Sequence, residues 1–495
     1  MQSYAGSAGN WKYHLTVAVL VCMTVFILLL SVHNSTVDNK TIFYAVLVSN
    51  VMLVAYLALL KEISLGILVY LYSLTFLNYY WRFVLPGRWP DVDLPRLMFV
   101  FIWFVILLET LVGGRKLLPR IRSEYAMVAL LISIVAVMLT KGKLEIRQFL
   151  NGYAVPFAMF ICAKNAFTTK KQVDRFLLWF AVPLSIYFPL NHIFEHYRLT
   201  QFIFPRYILS PVIAGIEVKW GARAMGVFLH PVATGTAIVS VYVLSMYRLS
   251  LIRGTWPKLL RTFITLVTPA AVFFSYTRAV YLGFFGALAV LFVFSRRQRL
   301  AGLVILIAMV LGVLANWSNV TTSERSSGGM ATEETAVARL VLAEVSMKMF
   351  MDRPFVGVGF TRFQEFSPAY ARTVRSTILG YKEAWIAQNV NQHNQLLTIL
   401  TEIGLIGFIP LIILYFTLGR VLFKARNVDA DNYDRELVVA VWGVWAVYMI
   451  NILFVEPRFF EFMNVLPYIM AGIIVGGYQR AKLRRPSAPV LDERS

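Results

Sequence analysis

Apolar blocks recur along the whole chain, each close to the roughly 20 residues needed to cross a bilayer, with short polar segments between them. They predict about fourteen spans. These lie near 15–32, 42–60, 63–81, 97–113, 124–140, 146–163, 175–194, 226–247, 259–275, 279–295, 300–316, 395–420, 437–455 and 460–478. Removing a pair leaves the alternation intact, so the fold class is an all-α polytopic membrane protein with 12–14 transmembrane helices.

Lys and Arg concentrate in "GGRKLLPRIR" (113–122), "KKQVDR" (170–175), "RLSLIRG" (248–254), "SRRQR" (295–299), "GRVLFKAR" (419–426) and "QRAKLRR" (479–485). With these spans, every one of those segments falls on the same side. Basic loops stay cytoplasmic, so both termini are placed in the cytoplasm. Two long segments, 195–225 and 317–394, then face the opposite side. The second opens on the Ser/Gly-rich "TTSERSSGGMATEE", expected to be mobile. It continues as an amphipathic helix ended by Pro354 and a glycine turn, "FVGVGF" (355–360). A loop of this length and pattern is partly folded and points to function. The chain thus divides into N-terminal spans (1–194), central spans (195–316), the large loop (317–394), C-terminal spans (395–480) and a cytoplasmic tail (481–495).

Composition agrees: 58% of residues are hydrophobic and 15% charged, with a mean hydropathy of +0.66. The net charge of +21 sits in the short loops, which reads as topology signal and contact with anionic membrane lipids, not as nucleic-acid binding. Cys22 and Cys162 lie inside apolar blocks, where packing is the simple reading. The first block has no small-residue cleavage site after it and reads as an uncleaved span. "NST" at 34–36 is a weak acceptor pattern, and Glu109 can snorkel. "EPRFFEF" (456–462) reads as an aromatic interface turn.

Three polar positions fall at the outer ends of spans: Arg223 in "WGARAMGVFLHPVATG", Arg278 in "SYTRAVYLG" and His393 in "QHNQLLTILTEIGLIG". Arg278 sits in a turn too short to leave the bilayer boundary. Either arginine alone is compatible with snorkelling to lipid phosphate; two on one face also suit bidentate grip of a phosphate. His393 is either a hydrated helix-entry residue or a neutral imidazole available as a base. Asn394, Thr398, Thr401 and Glu402 form a polar stripe below it that should face other helices. Glu402 lies half a turn round and well down the axis from His393, which disfavours direct pairing and suggests a buried structural partner.

"QHNQLLTILTEIGLIGF" resembles the signature of the O-antigen ligase/polymerase superfamily. "DRPFVGVGFTRF" is similar to its Pro-x-x-Gly-x-Gly segment, "GARAMGVFLHPVATG" to its Arg…Gly-x-Phe-x-x-Pro segment, and "YTRAVYLG" to its Thr/Ser-Arg segment. The four occur in family order over roughly residues 220–410. The resemblance implies a GT-C-like, inverting, metal-independent glycosyltransferase of the bacterial inner membrane, needing no cofactor. Its donor would be an undecaprenyl-diphosphate-linked glycan and its acceptor a glycan or lipid A core, with a chain-length regulator as a further partner. His393 would be the base, Arg223 and Arg278 the diphosphate clamp, and Asn394, Glu402, Arg147 and Arg339 supporting residues. The sequence has no Asp-rich or His/Cys metal cluster. The long N-terminal half favours a polymerase over a ligase; a flippase for lipid-linked oligosaccharide is the alternative from another class, though no internal repeat supports it.

Overall fold

A computed structural model describes residues 63–77, 82–83, 92–111, 116–142, 144–209, 224–315, 333–372 and 391–484. The expected spans 15–32 and 42–60, Cys22, the triplet at 34–36, Arg223, the Ser/Gly-rich stretch through residue 332 and the Glu109 side chain lie outside that description. Apart from one antiparallel pair of two-residue strands, Arg82–Phe83 and Val92–Asp93, the described residues form helices and their connections.

The helices are α1 (Ile63–Phe76), α2 (Leu94–Leu111), α3 (Arg122–Thr140), α4 (Ile146–Phe149), α5 (Val155–Ala166), α6 (Lys170–His196), α7 (Pro231–Ser250) and α8 (Thr255–Phe274). They continue as α9 (Arg278–Phe294), α10 (Arg299–Ala315), α11 (Glu333–Asp352), α12 (Phe363–Ala371), α13 (Gln395–Glu402), α14 (Leu405–Ala425), α15 (Arg435–Asn451) and α16 (Glu461–Arg484). Among the described residues, α3, α6, α7, α8, α14 and α16 are long and apolar enough to cross a membrane. Helices α1, α9 and α10 are shorter apolar helices at expected span positions.

Burial sorts these helices. α7 and α16 are enclosed almost all round, and α16 packs along α5 while α7 packs on α6 and α15. α8 and α14 turn most of their surface outward, α14 through Ile409, Ile413 and Phe416. Outward-facing aliphatic and aromatic side chains suit a lipid solvent, whereas enclosed helices can carry polar groups if neighbours satisfy them. Tyr448 Oη on α15 donates to Asn464 Oδ1 on α16 at 3.0 Å, and Trp445 Nε1 donates to the Pro467 carbonyl at 3.1 Å.

The basic segments gather at one end of the bundle. There Lys170 pairs with Asp434 at 2.6 Å, Lys164 pairs with Glu124 at 2.7 Å and donates to the Pro119 carbonyl, and Gln479 reaches the same carbonyl. The candidate chemistry gathers at the other end.

Three expected spans are modified. The span at 146–163 contains a π-helical turn, Leu150–Ala154. The one at 226–247 starts only at Pro231, because Gly226 and Leu229 have positive φ and Pro231 opens the helix. The expected helix at 395–420 is two helices, broken at Gly404 (φ +72°).

The last break has a visible cause. The glycine turn of the large loop docks into it: Leu405 N donates to the Pro354 carbonyl at 2.8 Å and Ile406 N to that of Phe355 at 3.2 Å. In return Val358 N donates to Thr401 O and Gly359 N to Glu402 O, each at 2.9 Å. The loop therefore supplies the partners that the interrupted helix ends lack. Helices α11 and α12 and this turn share a small apolar core of Val341, Val345, Met349, Val358 and Phe363.

A Cβ on Gly357 would lie 2.5 Å from the Glu402 carbonyl carbon, and one on Gly404 would lie 2.4 Å from the Phe355 oxygen. Gly357→Ala and Gly404→Ala should each destabilise by more than the ~1–2 kcal/mol of a left-handed backbone alone, read as a lower unfolding midpoint in detergent. Gly419→Ala on α14, with nothing within 4 Å of its Cβ, is the control and should be neutral.

Candidate functional site

His393 lies in the short segment that leads into α13, at φ +53°, a conformation L residues avoid. Its neighbours hold it there. Gln392 Nε2 donates to Ser346 Oγ on α11 at 3.0 Å, and Gln395 N donates to the Ile452 carbonyl at 2.9 Å. Asn394 caps α13, its Oδ1 accepting from Leu397 N at 3.1 Å, while Thr398 Oγ1 donates to the Asn394 carbonyl at 2.8 Å. The His393 side chain itself remains exposed. Surrounding protein, and next the Arg339 guanidinium on α11, lower its pKa below the ordinary 6.5, so neutral imidazole is the resting form at neutral pH. Arg339 also stacks over Phe454, 5.2 Å from the ring centroid.

Below this loop lies an ion cluster. Arg458, in the turn between α15 and α16, donates through Nη1 to Glu402 Oε2 at 2.6 Å and through Nη2 to Glu402 Oε1 at 3.1 Å. Its Nη2 also lies 2.6 Å from Glu456 Oε2. All three residues are buried, Glu402 completely. Burial disfavours the guanidinium charge, but Glu402 and Glu456 more than offset this and the Arg458 pKa stays raised. Glu456 is pushed up by burial, against the opposing pull of Arg458 and with the nearby Glu402 charge adding to the rise. Glu402 also accepts from Thr361 N at 2.8 Å, just beyond the glycine turn. Glu402 is thus not a hydrogen-bond partner of the imidazole; its partner is an arginine 56 positions away.

The expectation of a plain aromatic interface turn at 456–462 is therefore corrected. Phe459 is exposed there, but Glu456, Arg458 and Glu461 point inward. Sequence reading missed Arg458 because a lone arginine among aromatics in a short turn also fits snorkelling. The available signal was Glu402: a carboxylate committed to the interior needs a cation.

Arg278 is the first residue of α9, after a three-residue turn from α8, and is exposed. α9 and α15 run antiparallel, Gly283 facing Val447 and Asn451, so Arg278 and the Ile452 carbonyl that anchors Gln395 share one end of the pair. Arg147, on α4, is at the same end and interacts electrostatically with buried Glu461, which accepts from Tyr70 Oη at 3.0 Å. Of the Arg223 segment, Ala224–His230 is described. Glu195 at the end of α6 grips it, accepting from Met225 N at 2.8 Å and Gly226 N at 2.6 Å. His393 and Arg339 are thus brought together, Glu402 is tied to Arg458, and Arg147 and Arg278 stand at the same end without a direct contact to the imidazole among the described residues.

The arrangement offers an accessible neutral base, exposed guanidinium groups suited to phosphate oxygens, and a rigid frame beneath. Among the described residues no group of three or more His, Cys, Asp or Glu is placed to hold a metal ion. Residues 262–412 match the family described as O-antigen ligase. That stretch includes Arg278, the glycine turn, His393 and Glu402, and stops short of Arg458. No curated protein matches the chain.

Removing Arg458 would strand two buried carboxylates, and breaking a buried pair from one side typically costs about 3–5 kcal/mol. Arg458→Ala should therefore lower the unfolding midpoint and yield of purified protein sharply, while Arg278→Ala, at an exposed site, should leave both near wild type.

Proposed function

We propose that this chain, whose residues 262–412 match the family described as O-antigen ligase, is a member of the O-antigen ligase/polymerase superfamily and polymerises undecaprenyl-diphosphate-linked oligosaccharide repeat units at the periplasmic face of the inner membrane. The observation that carries this reading is the gathering of His393, Arg278, Arg147 and the folded glycine turn at the end of the bundle opposite the basic loops. We take the complete architecture as about fourteen spans in a GT-C-like arrangement with both termini cytoplasmic.

In this mechanism the lipid-linked donor lies in the bilayer, with its diphosphate at headgroup depth. Arg278 and Arg223 hold the diphosphate oxygens. His393 takes the proton of the acceptor hydroxyl as its oxygen attacks the anomeric carbon. The new C–O bond forms from the face opposite the diphosphate, the old C–O bond breaks, and the configuration inverts. Undecaprenyl diphosphate leaves with the bonding electrons, its added charge met by the guanidinium groups without a metal ion. A positioned base typically contributes about 10²–10⁴-fold, and alignment and fixed charge supply the rest. Arg339 keeps the imidazole neutral and Asn394 fixes the loop that carries it.

The family description favours one second reading, ligation of the glycan to lipid A core. Purified protein in vesicles, given lipid-linked oligosaccharide with and without lipid A core, separates the two. A ladder of longer lipid-linked products is the expected result; transfer to core alone would make it a ligase. Movement of the glycan across the vesicle with no new glycosidic bond would overturn both readings in favour of transport.

His393→Ala should abolish transfer at wild-type abundance. Arg278→Lys should fall well below wild type, because the planar fork is lost although the charge remains. The rate should fall as pH drops through the His393 pKa, since protonation removes the base. The acidic midpoint of kcat/KM should lie below 6.5; a midpoint above that value would contradict the assignment.

A further inference from the structure

α6 starts at the basic end of the bundle, where Lys170 pairs with Asp434, so its last turn stands at the opposite end, where Arg278 opens α9. That last turn collects rings. The His196 imidazole stacks on Phe274, the final residue of α8, with centroids 4.1 Å apart and planes at 12°. Tyr197 stands nearly at right angles to both, 5.0 Å from His196 and 5.4 Å from Phe274, each at 79°. Tyr276, in the three-residue turn between α8 and α9, adds a fourth ring 5.8 Å from His196. Arg278 follows two residues later.

The cluster is held in place. Glu195, beside His196, grips the amides of Met225 and Gly226, and Leu199 N donates to the Phe194 carbonyl at 2.8 Å. Tyr276 N donates to the Phe273 carbonyl at 3.1 Å. Tyr276 has φ +42°, which an L residue keeps only where its surroundings over-determine it, as at ligand clamps. Yet Tyr197, braced against two rings, is still 59% exposed.

We propose that His196, Tyr197, Phe274 and Tyr276 form a saccharide platform, against which the sugar bonded to the diphosphate of the lipid-linked donor stacks.

The chemistry of the donor fixes where that sugar must lie. Its anomeric carbon is bonded to a diphosphate oxygen, so a diphosphate held by Arg278 keeps the first sugar beside that guanidinium. A pyranose presents a face of C–H bonds, slightly positive, to which the negative face of an aromatic ring is attracted. The sugar hydroxyls lie round its rim and need hydrogen-bond partners, which tyrosine Oη groups supply. Rings already fixed by stacking lose little freedom when the sugar arrives. A belt that only met lipid headgroups would need neither a left-handed tyrosine nor a ring stack joining α6 to α8.

This inference rests on Arg278 meeting the diphosphate, as in the proposed function. It is tested by direct binding to the purified full-length protein in nanodiscs. The probes are lipid-linked oligosaccharide extracted from the cells that make the protein, and undecaprenyl diphosphate without sugar. Tyr197→Leu keeps an apolar side chain and loses the ring face; Tyr197→Phe keeps the face. Tyr197→Leu should bind the oligosaccharide roughly three- to tenfold more weakly. It should bind undecaprenyl diphosphate as wild type does, and Tyr197→Phe should hold both probes like wild type. Arg278→Ala should weaken both. Wild-type affinity of Tyr197→Leu for the oligosaccharide overturns the platform. Equal weakening of both probes in that variant also overturns it, and would make the rings a lipid-facing belt. So does a loss in Tyr197→Phe as large as in Tyr197→Leu, because the hydroxyl and not the ring face would then hold the sugar. If Arg278→Ala binds undecaprenyl diphosphate like wild type, the diphosphate assignment itself fails, and the platform with it. A weakened Arg278→Ala beside an unaffected Tyr197→Leu removes only the platform.

Discussion

A guanidinium withdrawn from water has to be met by negative charge, and Arg458 is met twice. Its pairing with Glu402 and Glu456 at the end of the bundle is the constraint on which the surrounding loops depend. A buried ion pair adds little net stability over a well-packed apolar core, because desolvation offsets most of the attraction. What it supplies is uniqueness. A fork that must satisfy two carboxylates has one good arrangement, and Glu402 also accepts from the Thr361 backbone amide. Four segments distant in sequence thereby take one relative placement: the π-helical turn, the glycine turn, the end of α13 and the turn before α16.

The break between α13 and α14 follows from the same economy of hydrogen bonds. An interrupted helix inside a membrane protein leaves N–H and C=O groups that lipid cannot satisfy. Here the glycine turn satisfies them, with bonds in both directions between residues 354–359 and 401–406. The large loop is thus part of the bundle's interior bonding. Glycines at 357 and 404 allow backbone to approach backbone where a methyl group would collide. That close approach brings Thr361 N onto Glu402 and joins the loop to the ion cluster.

Most of the helical framework was legible in the chain, because the length of an apolar block and the side on which Lys and Arg accumulate are local properties. The expected spans between residues 63 and 478 correspond to helices at nearly the same positions. The misreadings have physical causes. Gly404 reads as a tolerated helix glycine until another segment competes for the backbone at 405 and 406. Pro231 marks a helix start, but the irregular run before it depends on Glu195 gripping the amides of Met225 and Gly226. Glu402 was legible as a residue needing a partner; which cation answers it was not.

By itself the sequence determined that the chain is a helical membrane protein, and it set the expectation that the basic segments share one side while Arg223, Arg278 and His393 stand at the other. Those conclusions rest on periodicity, hydropathy and charge counted along the chain. Only the tertiary structure decided that Glu402 answers Arg458 and that the glycine turn closes a broken helix. Each of these depends on groups dozens of positions apart meeting at hydrogen-bond distance, and pairings of that kind are set by how the helices pack, not by any local pattern of residues.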